Sequence, residues 1–272
     1  MHNRALSLVF VIAAGLLNGC GGYYILTVPD RVAATAGEAP VIARLQRNDF
    51  FVLALAEPGV PLRFALDGRG QERAAYTDET GYAGAVLPAP EEPGRHDVVV
   101  RLCDTTGEEF RGQARLYAWA ADARIVAVDL DALPAVGPQR RAAADALTAL
   151  APDVRLAYMT RRSAAEHHEL HAWLGQRGYP DGPILLWQRQ RWQIVRGRWD
   201  LPRLVIESRL VSQLGTLREE FPNLQAGGCA GWLAARGLAE AGLRVIVVGP
   251  GRVDVEPVER RANWQALGQQ GL

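Results

Sequence analysis

Lysine is missing from this 272-residue sequence, and all 30 of its basic residues are arginines. Because arginine does not deprotonate in proteins, any mechanism that needs a neutral lysine amine is excluded. Net charge is lacking as well, since 30 acidic residues balance the arginines and the formal charge is +0. With no overall field of one sign, the composition gives no support for nucleic acid as a partner.

Cysteine is scarce, with three in the chain, and the first falls in a segment typical of an export signal. A short basic start precedes the apolar run ALSLVFVIAAGLL and the small residues NGCGG. The run is short for a membrane span. The sequence LNGC resembles the lipobox of bacterial lipoproteins, in which Cys20 becomes the acylated (palmitate-bearing) first residue. An ordinary signal peptide with an incidental cysteine is the alternative.

We therefore expect residues 1–22 to be a lipoprotein signal peptide and membrane anchor. Glycine rather than aspartate follows Cys20, which in the lipoprotein family implies the outer membrane, facing the periplasm of a bacterial cell envelope. Cys103 and Cys229 would then lie in an oxidising compartment. They could form a disulfide, but we favour two separate buried thiols because the sequence does not bring them together.

Residues 23–119 alternate short strand-like runs with turn-forming residues. The runs are YYILTV, FFVLAL, PLRFAL, YAGAVL, HDVVVRL and RGQARLYAW, separated by PDR, EPGVP, DGRG, TDETG and EEPGR. This pattern predicts an antiparallel β-sandwich. The passage AAYTDETGYAGAVLPAPEEPGRHDVVVRL resembles bacterial immunoglobulin-like modules of the invasin type. Its acidic residues lie in turns, where their side chains bond locally, and form no catalytic constellation, so we interpret it as a spacer or adhesion module.

Residues 123–251 alternate strand-like and helix-like segments instead. Such alternation predicts an α/β domain with a parallel sheet and helices on both faces, and we expect residues 252–272 to form a helical tail. Ligands of parallel sheets gather at the carboxyl ends of the strands. Asp129, Thr160 and Gly227 all fall at such ends.

Four passages of this half resemble the haloacid dehalogenase (HAD) superfamily, in particular the phosphatase-type domain of lipins and some phosphatidylinositol-transfer proteins. VAVDLDAL is similar to the first family motif, DxDx[TV], and LAYMTRRS to the second. GYPDGPILLW and the segment from LREEFPNLQAGG to VIVVGPG follow in the order that the family has. The similarity covers most of residues 124–251.

The resemblance implies a phosphate site with defined roles. Asp129 would attack phosphorus and Asp131 would protonate the leaving oxygen. The phosphate would be bound by Thr160, with Arg162 or Arg209 supplying the neutralising cation. Mg²⁺ would be the cofactor, bound at Asp129 and Asp131 together with an acid from the fourth motif.

The sequence departs from the family where that last acid belongs. GGCAGWLAA stands there, and no carboxylate occurs between Glu220 and Glu240. Mg²⁺ would therefore be weakly held. We predict a catalytically degenerate domain that binds phosphate-bearing ligands or lipid. The alternatives are an active Mg²⁺-dependent phosphomonoesterase acting on phosphatidate or a similar ester, and a structural or adhesion module of the envelope.

Two further patterns could bind ligands. Between Trp187 and Arg203, arginines alternate with tryptophans, and Arg189, Arg191 and Trp192 are suited to anionic lipid headgroups. A solvated hairpin is the alternative. In EHHELH, His167 and His171 lie one helical turn apart, a spacing that can chelate a metal, but we interpret them as an exposed polar helix face.

Overall fold

The computed structural model describes residues 23–49, 53–66, 69–103, 109–162, 166–186, 209–250 and 253–269. It contains three β-sheets and divides into two compact units. Unit 1 comprises Met1–Val28, Pro40–Leu87 and Val98–Gln113. Unit 2 comprises Pro29–Ala39, Pro88–Asp97 and Ala114–Leu272, so three segments of the predicted sandwich belong to the same unit as the α/β part.

The first half of the chain is made of strands. They are β1 Tyr23–Thr27, β2 Arg31–Ala34, β3 Glu38–Asp49, β4 Leu53–Ala56, β5 Pro61–Leu66, β6 Arg69–Tyr76, β7 Tyr82–Pro88, β8 Gly94–Cys103 and β9 Glu109–Trp119. One sheet has the order β1–β3–β4, with β7 also paired to β3, and the other has the order β2–β9–β8–β5–β6. β3 pairs antiparallel with β1 and β4, and β5 pairs antiparallel with β6 and β8, whereas β2 pairs parallel with β9.

Alternation of buried and exposed side chains explains these strands. In β5, Leu62 and Phe64 are fully buried, whereas Pro61 and Arg63 are exposed. In β3, Val41 and Leu45 are buried because residues an even number of positions apart lie on the same face of a strand. The sequence runs did not pick out β2, β3 or β6, because alanine and arginine interrupt their apolar character.

The TDETG turn is built by its own side chains. Asp78 Oδ1 accepts the backbone N–H groups of Thr80 at 2.8 Å and of Tyr82 at 2.9 Å. Gly81 has a φ of +79°, and a Cβ there would clash with the carbonyl oxygen of Leu45. Glycine is therefore required at this place, as the sequence pattern predicts.

Unit 2 contains a six-stranded parallel sheet, which confirms the predicted parallel arrangement. Its strands are β10 Ile125–Asp129, β11 Arg155–Thr160, β12 Ile184–Leu186, β13 Leu224–Cys229, β14 Arg244–Val248 and β15 Val258–Arg261. The order is β12–β11–β10–β13–β14–β15. The tail predicted to be wholly helical also contributes β15, a polar strand without the apolar run that marks the others.

Helices cover both faces of this sheet. They are α1 Gly137–Leu150, α2 His167–Gln176, α3 Arg209–Glu220, α4 Trp232–Glu240 and α5 Trp264–Gln269, with a short 3₁₀ helix at Leu130–Ala132. Val126 and Val128 of β10 share a buried cluster with residues of α1, α2 and α5. Ile125 and Ala127 share the opposite cluster with residues of α3 and α4.

The strand order places a topological switch point beside β10. From β10 the chain first adds strands in one direction, through β11 to β12, and then in the other, through β13 to β15. Between β10 and β13 the connections therefore leave in opposite directions, and such a switch point is where ligands bind in open parallel sheets. Among the described helices, none is both long and apolar enough to cross a membrane.

Candidate functional site

Asp129 ends β10 at the switch point and is 9% exposed. Its Oδ1 accepts the backbone N–H of Asp131 at 3.2 Å, which makes Asp129 the N-cap of the 3₁₀ helix. The backbone N–H of Ala230, just after β13, also donates to this carboxylate. Strands β10 and β13 thus hold Asp129 from both sides of the switch point.

Asp131 is bound by the end of β11. Its Oδ1 accepts the hydroxyl of Thr160 at 2.7 Å, and its Oδ2 accepts the backbone N–H of Arg161 at 2.9 Å. The Nε atoms of Arg161 and Arg162 each lie 3.5 Å from the carboxylate. The Thr160 hydroxyl therefore donates within the protein, and the positive charges of two guanidinium groups lie beside the Asp131 carboxylate.

Burial sets the protonation of Asp129. Desolvation, followed by the charge of Asp131, raises its pKa to about 6, against the opposing effects of Arg161 and two backbone donors. A carboxyl with this pKa carries a proton in part of the molecules near neutral pH. Burial and the Asp129 charge also raise the pKa of Cys229 to about 12, so this buried thiol is not a thiolate nucleophile.

Cations line one side of the site. The guanidinium groups of Arg162 and Arg177 lie 5.9 Å and 4.6 Å from the ring centre of Trp173, on α2. Arg177 Nε also donates to the carbonyl oxygen of Ala135, in the loop after β10, at 3.1 Å.

The described residues do not fit a firmly held Mg²⁺. They contain one group of at least three histidine, cysteine or acidic ligands close enough to share an ion, and it includes neither Asp129 nor Asp131. The ion would have two carboxylates, one of them paired with two guanidinium groups. Mg²⁺ is usually bound by one or two carboxylates and keeps several water ligands, so it is the pairing of Asp131 with arginines, rather than the number of carboxylates, that weakens its binding.

That one group is a second carboxylate cluster, centred on Asp30, just before β2. Asp30 has a fully buried side chain and accepts the backbone N–H groups of Arg115 at 3.0 Å and Ile184 at 2.9 Å. The Nε2 atom of His171 lies 2.7 Å from Oδ2, and that of His167 lies 3.2 Å from Oδ1. Burial alone would raise the pKa of Asp30, but the two imidazoles beside its carboxylate hold it at about 2.

The interpretation of His167 and His171 as an exposed helix face was wrong. Both side chains are less than a tenth exposed because they face Asp30, which lies far away in the sequence. The one-turn spacing of the histidines was visible in the sequence. Their partner was hidden in a PDR segment that resembles an ordinary turn.

The structure brings four predicted site residues together: Asp129, Asp131, Thr160 and Arg162. Arg161 was not predicted, although it directly follows Thr160. Arg209 begins α3, and its side chain lies outside the described residues. Also outside them are Cys20, Arg189, Arg191, Trp192 and the side chain of Cys103.

No family model and no curated protein matches the chain. Among solved structures, it is similar to a bacterial immunoglobulin-like domain from the M. primoryensis ice-binding adhesin, with 13% identity, 37% of this chain and 97% of that chain covered, and a TM-score of 0.23. It is similar to a carbohydrate acetylesterase from Xanthomonas citri, with 15% identity, 82% of this chain and 60% of that chain covered, and a TM-score of 0.33. Similarities of this extent assign neither a family nor a function.

Proposed function

We propose that the protein is a lipid-anchored envelope protein whose α/β unit binds phosphate-bearing ligands, such as phosphatidate-like lipid, without hydrolysing them. In this proposal the unit is a degenerate HAD-type domain, and the first half of the chain is an immunoglobulin-like spacer. The single observation that carries the proposal is the cluster of Asp131, Thr160, Arg161 and Arg162 beside buried Asp129 at the switch point.

The charges of this cluster favour an anion. The side chains of Arg161 and Arg162 are 53% and 40% exposed, so a ligand can reach both guanidinium groups. They face Asp131 and a second carboxyl, Asp129, whose charge burial disfavours. The guanidinium fork binds phosphate oxygens in pairs, so a phosphate monoester is a suitable ligand.

The same contacts disfavour hydrolysis. A general acid must be free to carry a proton to the leaving oxygen, but both carboxylate oxygens of Asp131 already accept donors of the protein, the Thr160 hydroxyl and the Arg161 backbone N–H. Attack by the Asp129 carboxylate on a phosphate anion needs a cation that screens the two negative charges. The described residues do not hold Mg²⁺ firmly, so this screening is weak.

Exposed apolar side chains follow the two strands that flank the switch point. Val136, after β10, is 77% exposed, and Trp232, which begins α4 after β13, is 55% exposed. Large exposed apolar residues at a ligand-binding edge suit an amphiphilic ligand, because its apolar part can cover them. A phosphorylated lipid combines this property with a phosphate headgroup.

Turnover assays test the absence of hydrolysis. The purified full-length protein is incubated with phosphatidate and with an aryl phosphate, with and without Mg²⁺, and released phosphate is measured. Asp129→Asn is the matched variant, and the expected rate is the same low background for both proteins. Mg²⁺-dependent release that Asp129→Asn abolishes would establish the rival function, an active phosphomonoesterase.

Vesicle binding tests the ligand. We expect the protein to co-sediment more strongly with vesicles containing phosphatidate than with phosphatidylcholine vesicles. Arg161→Gln/Arg162→Gln should remove most of this difference, whereas Arg124→Gln, outside the cluster, should keep it. An Arg189→Gln/Arg191→Gln variant measures the separate contribution of the arginine–tryptophan stretch. Equal binding to both vesicle types by the unchanged protein would favour a structural or adhesion module.

A further inference from the structure

Two imidazole rings on one helix point to the same buried carboxylate. His167 and His171 are four residues apart on α2, so their side chains lie on one face. Their Nε2 atoms approach different oxygens of Asp30, at 3.2 Å from Oδ1 and 2.7 Å from Oδ2. One ligand atom from each of the three residues lies within 4.8 Å of the others. All three belong to unit 2.

One of these nitrogens has no hydrogen-bond partner. His167 Nε2 is buried, and although Asp30 Oδ1 is 3.2 Å away, the contact lacks hydrogen-bond geometry. The side chain of His167 is 7% exposed. Buried polar atoms without partners are rare and costly, so an unpaired nitrogen aimed at a carboxylate indicates a missing ligand.

We infer that Asp30, His167 and His171 form a binding site for a divalent transition metal of the zinc class. Zinc binds imidazole nitrogen and carboxylate oxygen at about 2.1 Å, so neighbouring ligand atoms of one tetrahedral ion lie about 3.4 Å apart. The 3.2 Å distance of His167 is close to this spacing, and His171, at 2.7 Å, needs to move back by less than about 1 Å. Two imidazoles and a carboxylate select zinc-like ions over Mg²⁺, which prefers oxygen ligands.

The surroundings support Asp30 as a ligand. Two backbone amides, those of Arg115 and Ile184, fix its carboxylate without occupying all of its lone pairs. Hydrogen bonds of this kind orient the carboxylate ligands of protein metal sites. Because all three side chains are buried, the site is structural: it joins the segment before β2 to α2 and β12.

Arg115 opposes metal binding at His171. Its NH1 nitrogen lies 2.7 Å from His171 Nδ1, so it donates to an unprotonated Nδ1, and the ring proton is on Nε2. A metal on Nε2 requires the proton on Nδ1 instead. Asp181 Oδ1, 4.0 Å from Nδ1 and 2.9 Å from Arg115 NH1, is the acceptor for that proton once Arg115 turns away. Asp181 is thus a positioning residue of the site.

Metal titration tests the assignment directly. The full-length protein, purified without a histidine tag and stripped with chelator, is titrated with Zn²⁺ by calorimetry and with Co²⁺ by visible absorption. We expect one ion per chain and the Co²⁺ bands typical of low coordination number. Asp181→Ala should weaken binding by about 10- to 100-fold because it removes the acceptor of the Nδ1 proton.

Variants of α2 separate this site from adventitious binding. His167→Gln and His171→Gln should each abolish the Co²⁺ bands. His168→Ala is the matched control, since His168 is exposed on the same helix, and it should bind as the unchanged protein does. Absence of stoichiometric binding by the unchanged protein, or binding that survives both glutamine variants, would show that the cluster is held by hydrogen bonds alone. Absence of stoichiometric binding is measured on the unchanged protein, so this outcome can be read even if a variant fails to fold.

Discussion

Two buried aspartates of unit 2 have opposite electrostatic environments. Asp30 accepts hydrogen bonds from two backbone amides and lies against the imidazoles of His167 and His171, and its pKa falls to about 2. Asp129 has two backbone donors but also faces a second carboxylate, and its pKa rises to about 6. Burial disfavours the charge of both groups, so the partners decide the outcome.

This difference separates a carboxylate that stays ionised from one that is partly protonated near neutral pH. Asp30 fixes the chain around it through its hydrogen bonds and stays ionised. Asp129 lies at the switch point of the sheet, and burial raises its pKa. Carboxyl groups with a shifted pKa are typical of functional sites. The two clusters therefore respond in opposite ways to substitution.

Removing Asp30 has the largest expected effect. Asp30→Ala leaves two backbone N–H groups and the imidazole of His171 buried without their acceptor, and we expect a loss of about 3–5 kcal/mol in the free energy of unfolding. Urea denaturation in the presence of chelator measures this loss without any contribution from metal. Asp145→Ala, on the exposed side of α1, is the control and should change stability by less than about 0.5 kcal/mol. Similar effects of the two substitutions would contradict the assigned role of Asp30.

Asp129→Asn should instead stabilise the protein, and increasingly so at higher pH. Because the folded-state pKa is raised, wild-type stability is fully present below the unfolded value near 3.8 and is lost as pH rises through about 6. Between pH 4 and pH 8 the advantage of the variant should grow by up to about 3 kcal/mol. Urea denaturation at pH 4, 6 and 8 measures it. An advantage that does not change with pH would show that Asp129 is ionised as easily as in the unfolded chain.

Thr160→Val tests the contact between β11 and Asp131. The substitution keeps the shape but removes the hydroxyl that donates to Asp131 at 2.7 Å, and we expect a loss of about 1–2 kcal/mol. Thr160→Ser keeps the donor and should lose less in the same thermal unfolding measurement. If the two variants are equally destabilised, packing rather than the hydrogen bond dominates at this position.

An exposed ion pair supplies the reference for both clusters. Arg236 and Glu240 lie one turn apart on α4, and Arg236 Nε lies 2.6 Å from Glu240 Oε1. Their side chains are 63% and 43% exposed. Arg236→Ala should cost only about 0.3–0.5 kcal/mol because solvent screens the pair. A loss as large as that of Asp30→Ala would remove the distinction between buried and exposed charges.

The sequence predicted the Asp129 cluster better than the Asp30 cluster for a physical reason. Apolar runs that end in Asp129 and Thr160 are local signals, and parallel strands bring their carboxyl ends to one edge. Asp30 contacts His171 across 141 positions of sequence, and no local pattern encodes such a pairing. The polar strand β15 was missed similarly, because its neighbour β14 rather than its own sequence makes it a strand.

Phosphorus NMR of a short-chain phosphatidate mixed with the full-length protein and Mg²⁺ tests binding without hydrolysis most directly, because one spectrum reports both. We predict a phosphatidate resonance that broadens with added protein, sharpens again with Arg161→Gln/Arg162→Gln, and yields no inorganic phosphate over hours. A resonance that stays sharp would contradict binding. A growing inorganic phosphate signal that Asp129→Asn abolishes would contradict the loss of catalysis.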